Sequence, residues 1–134
     1  QGLRPDGQPW WVDLETPPPQ SAQPPLPTTR VALHGLCVAT SGDYRRHYQY
    51  QDQIYSHTID PRNGRPIEHG LASVSVVHAS CMWADGWATA LNVLGVHTAR
   101  ELAIQHEIAV RFVERLHDGS LLETITPAFR ELTT

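Results

Sequence analysis

A carboxylate and a hydroxyl stand at helical spacing in the stretch ADGWATA, residues 84–90. Asp85 and Thr89 are four residues apart, so on a helix they would project from one face with Cβ atoms roughly 5–6 Å apart. These oxygen donors suit a hard cation such as Mg²⁺, which takes few protein ligands and keeps positions for phosphate oxygens of a substrate. A plain surface helix is the alternative, with a solvated Asp85 and a Thr89 bonded back to its own backbone.

A second candidate is His57, in the run SHTIDPRNGRP at residues 56–66. It precedes a loop dense in turn-forming residues, where a histidine can serve as acid, base or phosphate contact. Asp60 stands before Pro61 and is therefore held in extended backbone. The alternatives are an ordinary hydrogen-bonded His57 and an Asp60 that accepts backbone N–H groups within the turn.

A third stretch, TSGDYRR at residues 40–46, is a small, hydroxyl-rich turn after a predicted strand. Its Ser41 and Gly42 could let a ligand approach the backbone, although many such turns only end a strand. Four arginines near these motifs could bind phosphate or simply be solvated: Arg45, Arg46, Arg62 and Arg65.

Two helices are expected from periodicity. Residues 81–94 show apolar side chains at three- and four-residue spacing, among them Met82, with Ser80 as N-cap and Gly95 as the C-terminal stop. Residues 98–106 form a second helix, with Thr98 opening a capping-box pattern.

The remaining elements are strands and one long loop. Residues 16–29 hold six prolines and are predicted to be an extended loop. The first predicted strands are 10–14 and 30–40, the second followed by a turn at 41–43. Residues 44–50 and 53–59 are predicted to form a hairpin across Gln51-Asp52, and residues 71–78 a half-buried strand. The last two predicted strands, 108–116 and 121–125, are joined by a turn at Asp118-Gly119. This order predicts an α+β fold, a mostly antiparallel sheet with two helices.

Composition excludes several classes of protein. No apolar run approaches the roughly 18 residues of a membrane span, and the polar, Pro-rich start lacks a signal-peptide pattern. A net charge of −4 with scattered arginines predicts no nucleic-acid partner. Cys37 and Cys81 have no CxxC spacing, and two separate thiols are favoured over a bridge between them. The dispersed histidines do not predict a zinc site.

The three chemical stretches follow one another as ATSGDYRRHY, SHTIDPRNGRPIEH and ASVSVVHASCMWADGWATALNVLG. In that order they resemble the FAD:protein FMN transferases, the ApbE family. The opening GLRPDGQPWWVDLE is similar to the segment that precedes them there. The resemblance extends from about residue 2 to about residue 130, with 16–29 the most divergent part.

The resemblance implies a T-fold-like α+β domain that binds FAD with Mg²⁺ at the pyrophosphate. Such enzymes transfer FMN to a threonine or serine hydroxyl of a partner flavoprotein and release AMP. The resemblance further implies that Asp85 and Thr89 ligate the metal and that His57 takes part in the transfer of FMN. The positions implied to line the flavin site, beside His57, are Ser41, Gly42, Ile59, Asp60, Pro61 and Gly64.

Two other functions fit the same resemblance: a Mg²⁺-dependent FAD pyrophosphatase that yields FMN and AMP, and a non-catalytic flavin-binding or assembly module. Family members are much longer, and the chain opens without Met. We therefore expect residues 1–134 to be the C-terminal portion of one domain whose N-terminal half is absent, and to be weakly active or inert alone. The family also implies a bacterial periplasmic or cell-envelope location, with any inner-membrane lipoprotein anchor outside this chain.

Overall fold

The computed structural model describes residues 2–20, 22–43 and 47–133. In chain order its elements are β1 (Trp10–Leu14), β2 (Thr29–Leu33), β3 (Cys37–Gly42), β4 (His47–Tyr50), β5 (Gln53–Ser56), β6 (Ile59–Asp60), β7 (Arg65–Pro66), β8 (Leu71–His78), α1 (Cys81–Leu94), α2 (Val96–Gln105), β9 (Ala109–Arg115), β10 (Leu121–Ile125) and α3 (Pro127–Arg130). The largest sheet has the order β10-β9-β8-β3, and all its pairs are antiparallel. The predicted α+β class and the mostly antiparallel sheet are confirmed.

Both faces of this sheet are covered. On one face, Val74 and Val76 of β8 belong to a core that includes Ala88 and Leu91 of α1 and Ala103 of α2. On the other face, the core consists of Leu14, Val31, Leu33, Val77 and Phe129, from β1, β2, β8 and α3. Seven of the eight β8 residues are therefore buried, and the prediction of a half-buried strand is wrong. The alternation of valine and serine along β8 reflects two buried faces of different polarity. On the second face the buried Ser75 hydroxyl shares a hydrogen bond with the Thr40 hydroxyl.

The strand predicted over 30–40 is two strands. Gly35 has φ +67°, a conformation that favours glycine, and the chain turns there between β2 and β3. β3 then continues through Gly42, paired with β8 as far as Ser73. Ser41 and Gly42 thus lie in the strand, and the prediction that they form the following turn is wrong.

α1 begins and ends where periodicity predicts, and Gly95 ends it with φ +77°. Met82, expected on the apolar face, is instead 72% exposed. α2 starts at Val96, so Thr98 lies inside the first turn and is not the cap. The third helix, α3, was not predicted, because four residues are too few to show a period. Thr126 caps it by accepting a hydrogen bond from the Phe129 N–H.

The two cysteines form a disulfide, Cys37–Cys81, with Cα atoms 5.1 Å apart. The prediction of two separate thiols is therefore wrong. Sequence spacing hides the pair, because the cysteines are 44 positions apart and the strands between them bring the start of α1 back beside the start of β3.

The smaller elements largely follow the sequence. β4 and β5 pair across Gln51-Asp52, although β5 ends at Ser56, before the predicted end, and residues 44–46 lie outside the described residues. Through residues 16–28 the described positions form no helix or strand, as the prolines predict. Within the described ranges, no helix combines the length and apolar character needed to cross a membrane.

Candidate functional site

Two of the predicted site residues meet where β3 lies alongside α1. The Ser41 Oγ and Thr89 Oγ1 atoms are 3.2 Å apart and share a hydrogen bond. They are 48 positions apart in the chain, so only the packing of helix on sheet brings these two motifs together. Ser41 comes from the predicted flavin set and Thr89 from the predicted metal set.

Asp85 lies one turn before Thr89 on the same helix, and both side chains are exposed. Helical geometry aims them from one side of α1, as the spacing predicts. The local donor set is then one carboxylate and two hydroxyls. We call Cys37, Ser41, Cys81, Asp85 and Thr89 the β3–α1 seam.

The chemistry of this donor set fits Mg²⁺, which prefers oxygen and completes its shell with waters and ligand phosphates. It does not fit a transition metal that prefers nitrogen or sulfur. In the part of the chain that the structure describes, no group of three or more His, Cys, Asp or Glu side chains is placed to hold a metal ion. A cation at the seam would take only a few ligands from these residues.

The 60–65 loop is a second structured region, closed by the short ladder of β6 and β7. The Asp60 carboxylate accepts hydrogen bonds from the Arg62 N–H at 2.9 Å and from the Arg62 guanidinium at 2.7 Å. The Asp60 carbonyl accepts the Gly64 N–H at 2.8 Å, and Gly64 has φ +68°. The alternative of Asp60 as an acceptor within its own turn is therefore observed.

The ion pair between Asp60 and Arg62 determines the electrostatics of the loop. Hydrogen bonds from the Arg62 side chain, and then from its backbone N–H, hold the pKa of the Asp60 carboxyl below its usual value. Asp60 itself is buried while Arg62 is largely exposed. The Arg62 guanidinium is thus bonded to Asp60. The loop's other arginine, Arg65, is exposed, and its backbone N–H donates to Asn63 Oδ1.

His57 follows β5 directly and precedes the 60–65 loop. Its side chain is exposed, and so is Ile59 at 47%. The preceding Ser56 is buried, and its Oγ accepts the Thr58 N–H at 3.1 Å. The backbone around His57 is therefore anchored on both sides, and His57 and Ile59 present side chains at the surface.

A pocket of about 170 Å³ lies between this loop and the end of α1, lined in part by Arg65, His69 and Leu94. It lies two to three helical turns from Asp85, because Leu94 is the last residue of α1. The pocket is therefore separate from the carboxylate of the seam. Arg45 and Arg46, the other predicted phosphate contacts, lie outside the described residues.

Sequence reasoning missed one feature of the site, the disulfide at the start of the seam. An even number of cysteines was the only available signal, and it does not specify a pair.

Comparisons with known proteins agree on one family. The family model described as "ApbE family" matches residues 1–112. The chain is 38% identical over 119 residues to the FAD:protein FMN transferase of Salmonella typhimurium, covering 89% of this chain and 33% of that protein. Against the FAD:protein FMN transferase of Escherichia coli K12, it is 35% identical over 131 residues, covering 97% of this chain and 36% of that protein.

Solved structures show the same likeness. The apo flavinyl transferase ApbE of Pseudomonas stutzeri matches with a TM-score of 0.81 and 43% identity, over 99% of this chain and 39% of that one. The flavin transferase ApbE of Vibrio cholerae matches with a TM-score of 0.80 and 35% identity, over 98% of this chain and 40% of that one. The chain therefore spans well under half the length of each of these relatives.

Proposed function

The chain belongs to the ApbE family, and on that premise we propose that it forms part of a Mg²⁺-dependent flavin transferase. The reaction moves FMN from FAD to a threonine or serine hydroxyl of a partner flavoprotein and releases AMP. The observation that carries the proposal is the Ser41–Thr89 contact, which joins the flavin-site strand to the helix that bears Asp85.

In this reaction the acceptor oxygen forms a bond to the FMN phosphorus while the bond from that phosphorus to the AMP oxygen breaks. Bound Mg²⁺ supplies charge neutralisation on the pyrophosphate, which such displacements require. Asp85 and Thr89 are the side chains that would hold it, as a carboxylate and a hydroxyl one turn apart. Ser41 orients the Thr89 hydroxyl through their shared hydrogen bond.

His57 is proposed as the group that accepts the proton of the attacking hydroxyl. Histidine is the side chain that most often serves as general acid or base in enzymes. Its exposed position leaves room for a partner protein's side chain to approach. The hydrogen bond from the Thr58 N–H to Ser56 Oγ fixes the backbone at His57 relative to the 60–65 loop.

The 60–65 loop is proposed to shape the flavin site. The Asp60–Arg62 pair fixes the turn that contains Pro61 and Gly64 and that directly follows Ile59. In this assignment Asp60 acts through the loop, because its carboxylate is already engaged by Arg62. A preformed loop lowers the ordering cost of binding a large ligand.

We propose further that residues 1–134 supply the C-terminal portion of the flavin site, and that the protein works in the bacterial periplasm or cell envelope, held there by a lipoprotein anchor. The motif order of the family supports the first statement, and the chain covers 33% and 36% of the length of two relatives. The disulfide supports the second, because structural disulfides persist mainly in oxidising compartments.

The test is incubation of the whole protein that contains residues 1–134 with FAD, Mg²⁺ and an acceptor flavoprotein domain, followed by mass spectrometry of the acceptor and chromatography of the nucleotides. Covalent flavin on a Thr or Ser, with one AMP per flavin, supports transfer. Free FMN with AMP and an unmodified acceptor supports the pyrophosphatase instead. FAD binding with no product supports the non-catalytic module.

Asp85→Asn is the variant that tests the site, because it keeps the size of the side chain and removes the charge. Loss of a group that only supports a metal ligand typically lowers metal affinity about 10–100-fold. Because Asp85 is proposed as a direct ligand, we expect a larger fall in this variant. Asp118→Asn is the matched control, an exposed carboxylate in the β9–β10 turn that accepts hydrogen bonds from the Ser120 N–H and hydroxyl. Equal metal affinity in the two variants would contradict the assignment of Asp85.

A further inference from the structure

The N-terminus of α1 is not held by ordinary capping. Ser80 occupies the N-cap in extended backbone but makes no side-chain cap hydrogen bond, and the first turn contains no acidic residue. The first helical residue, Cys81, is instead bonded covalently to Cys37, the first residue of β3. The disulfide therefore anchors the helix end that a cap usually stabilises.

A hydrogen bond between Ser41 and Thr89 connects the same two elements farther along β3 and α1. The four strand steps from Cys37 to Ser41 span about 13 Å at roughly 3.3 Å per residue. The eight helix steps from Cys81 to Thr89 span about 12 Å at roughly 1.5 Å per residue. Because the two spans agree, the disulfide holds α1 at the axial position where Thr89 lies opposite Ser41.

Packing defines this position less firmly near the seam than in the C-terminal half of α1, where the larger Leu91 side chain is fully buried. The inner face of α1 near the seam consists of Ala84 and Ala88, both fully buried against the sheet. Methyl side chains let a helix lie close to a sheet, but they interlock less deeply than large ones. A slip of one turn would move Thr89 by about 5.4 Å, which is enough to separate it from Ser41.

We propose that Cys37 and Cys81 are positioning residues whose disulfide keeps Asp85 and Thr89 in register with β3, so that reducing it weakens cation binding at the seam. This inference rests on the proposed function, which places the cation there. Reduction by dithiothreitol transfers two electrons and two protons, breaks the S–S bond to leave two thiols, and converts the reagent to its cyclic disulfide.

The experiment uses Mn²⁺ alone as a paramagnetic probe for the Mg²⁺ site, with bound and free ion measured by electron paramagnetic resonance. The oxidised chain is compared with the dithiothreitol-treated chain and with a Cys37→Ser/Cys81→Ser double variant. We expect the Mn²⁺ dissociation constant to rise about tenfold in both, the lower end of the effect of losing an outer-shell support. The double variant should no longer respond to dithiothreitol.

A control separates positioning from general stability. Thr126→Val keeps the disulfide but removes a buried hydroxyl that donates to the Ile108 carbonyl at 2.8 Å and accepts the Val110 N–H at 3.0 Å. It should lower the melting temperature while leaving Mn²⁺ affinity unchanged at a temperature where every form is folded. Unchanged affinity on reduction, in a chain whose oxidised form binds Mn²⁺, overturns the proposal.

A second measurement does not depend on the ligand. Hydrogen exchange of the α1 amides at residues 82–89 should accelerate about tenfold on reduction, because the helix end opens locally, while β9 amides stay protected. If the oxidised chain binds no Mn²⁺, the metal assignment fails, and this exchange comparison still decides the role of the disulfide. Equal exchange of α1 in both redox states overturns it.

Discussion

The β3–α1 seam and the 60–65 loop both carry residues of the candidate site, but they are held together in different ways. In the loop, the turn bonds join residues two to four positions apart, such as Asp60 to Arg62 and Asp60 to Gly64, and the ladder that closes it pairs residues five and seven positions apart. In the seam, the disulfide joins residues 44 positions apart, Cys37 and Cys81, and the hydrogen bond joins residues 48 positions apart, Ser41 and Thr89.

This difference determines what each region depends on. The loop can form from its own residues, because one carboxylate, one guanidinium and one glycine satisfy its turn. The seam exists only when β3, β8 and α1 are assembled. We therefore expect the seam to respond to changes anywhere in the sheet, and the loop to respond mainly to changes within itself.

The largest expected effect comes from Arg111→Met. Arg111 is fully buried, forms an ion pair with Glu123 and donates to Thr16 Oγ1 at 2.9 Å. Removing it leaves Glu123 without its cation, and breaking a buried pair in this way costs about 3–5 kcal/mol. We expect about 3 kcal/mol in urea unfolding, because Glu123 is partly exposed.

Hydrogen exchange on this variant tests the comparison directly. Amides of α1 in the seam should lose protection along with the sheet, whereas the Gly64 N–H should exchange at its original rate, since its opening is local. Arg30→Met is the control, because its pair with Asp13 is exposed and should contribute little. Equal loss of protection at both sites would show that the loop also depends on the sheet.

The next effect concerns Gly95, where α1 ends near the loop pocket. Its φ of +77° is strained for other residues, and an alanine Cβ there would lie 3.2 Å from His69 Cδ2. We expect Gly95→Ala to cost about 1–3 kcal/mol in denaturant unfolding. Gly86→Ala is the matched control, because no atom lies within 4 Å of its added Cβ. That helix-interior change should stabilise the protein by about 0.5–1 kcal/mol, and a cost there similar to that at Gly95 would refute the explanation.

A smaller effect is expected from Ser41→Ala, which removes the hydrogen bond to Thr89. One hydrogen bond contributes about 1 kcal/mol to stability, and this one is exposed, so the free energy of unfolding should fall by less than about 1 kcal/mol while Mn²⁺ affinity falls about fivefold. Thr40→Ala is the neighbouring control, because Thr40 bonds Ser75 on the other face of the sheet. If titration calorimetry gives the same affinity for both variants, Ser41 does not support the Thr89 hydroxyl in its proposed role as a metal ligand.

The smallest effect is a local titration in the loop. Because Arg62 lowers the pKa of folded Asp60, this pair stabilises the folded state above the carboxyl's unfolded pKa of about 3.9. That contribution is lost as the pH falls from there through the lower folded pKa. A carboxyl-carbon NMR titration should show a midpoint below about 3.9, returning toward it in Arg62→Ala. An unchanged midpoint in the variant would mean that another group lowers it.

Much of the local structure was predictable from the sequence, because its causes are local. The period of α1, its stop at Gly95 and the strand of β10 follow from side chains within a few residues of one another. The motif residues of the candidate site were also readable, by type and by resemblance to the family. Their roles stay predictions that the experiments above address.

Other features were not predictable, because their causes are distant in sequence. Nothing local shows that β8 is covered on both faces, since its alternation of serine and valine is also typical of a half-solvated strand. Met82 falls on the periodic positions of α1, yet the geometry of the sheet leaves it exposed. α3 is held by a buried cap at Thr126 that only its packing against β9 explains.

The sequence by itself therefore determined the residue types of the site, the helix that carries Asp85 and Thr89, and the turn made by Asp60, Arg62 and Gly64. Only the tertiary structure decided that Ser41 bonds Thr89 and that Cys37 pairs with Cys81. The physical reason is that a turn is set by bonds between near neighbours. The position of a helix along a strand is set by the sheet beneath it and by covalent or hydrogen bonds across long stretches of chain.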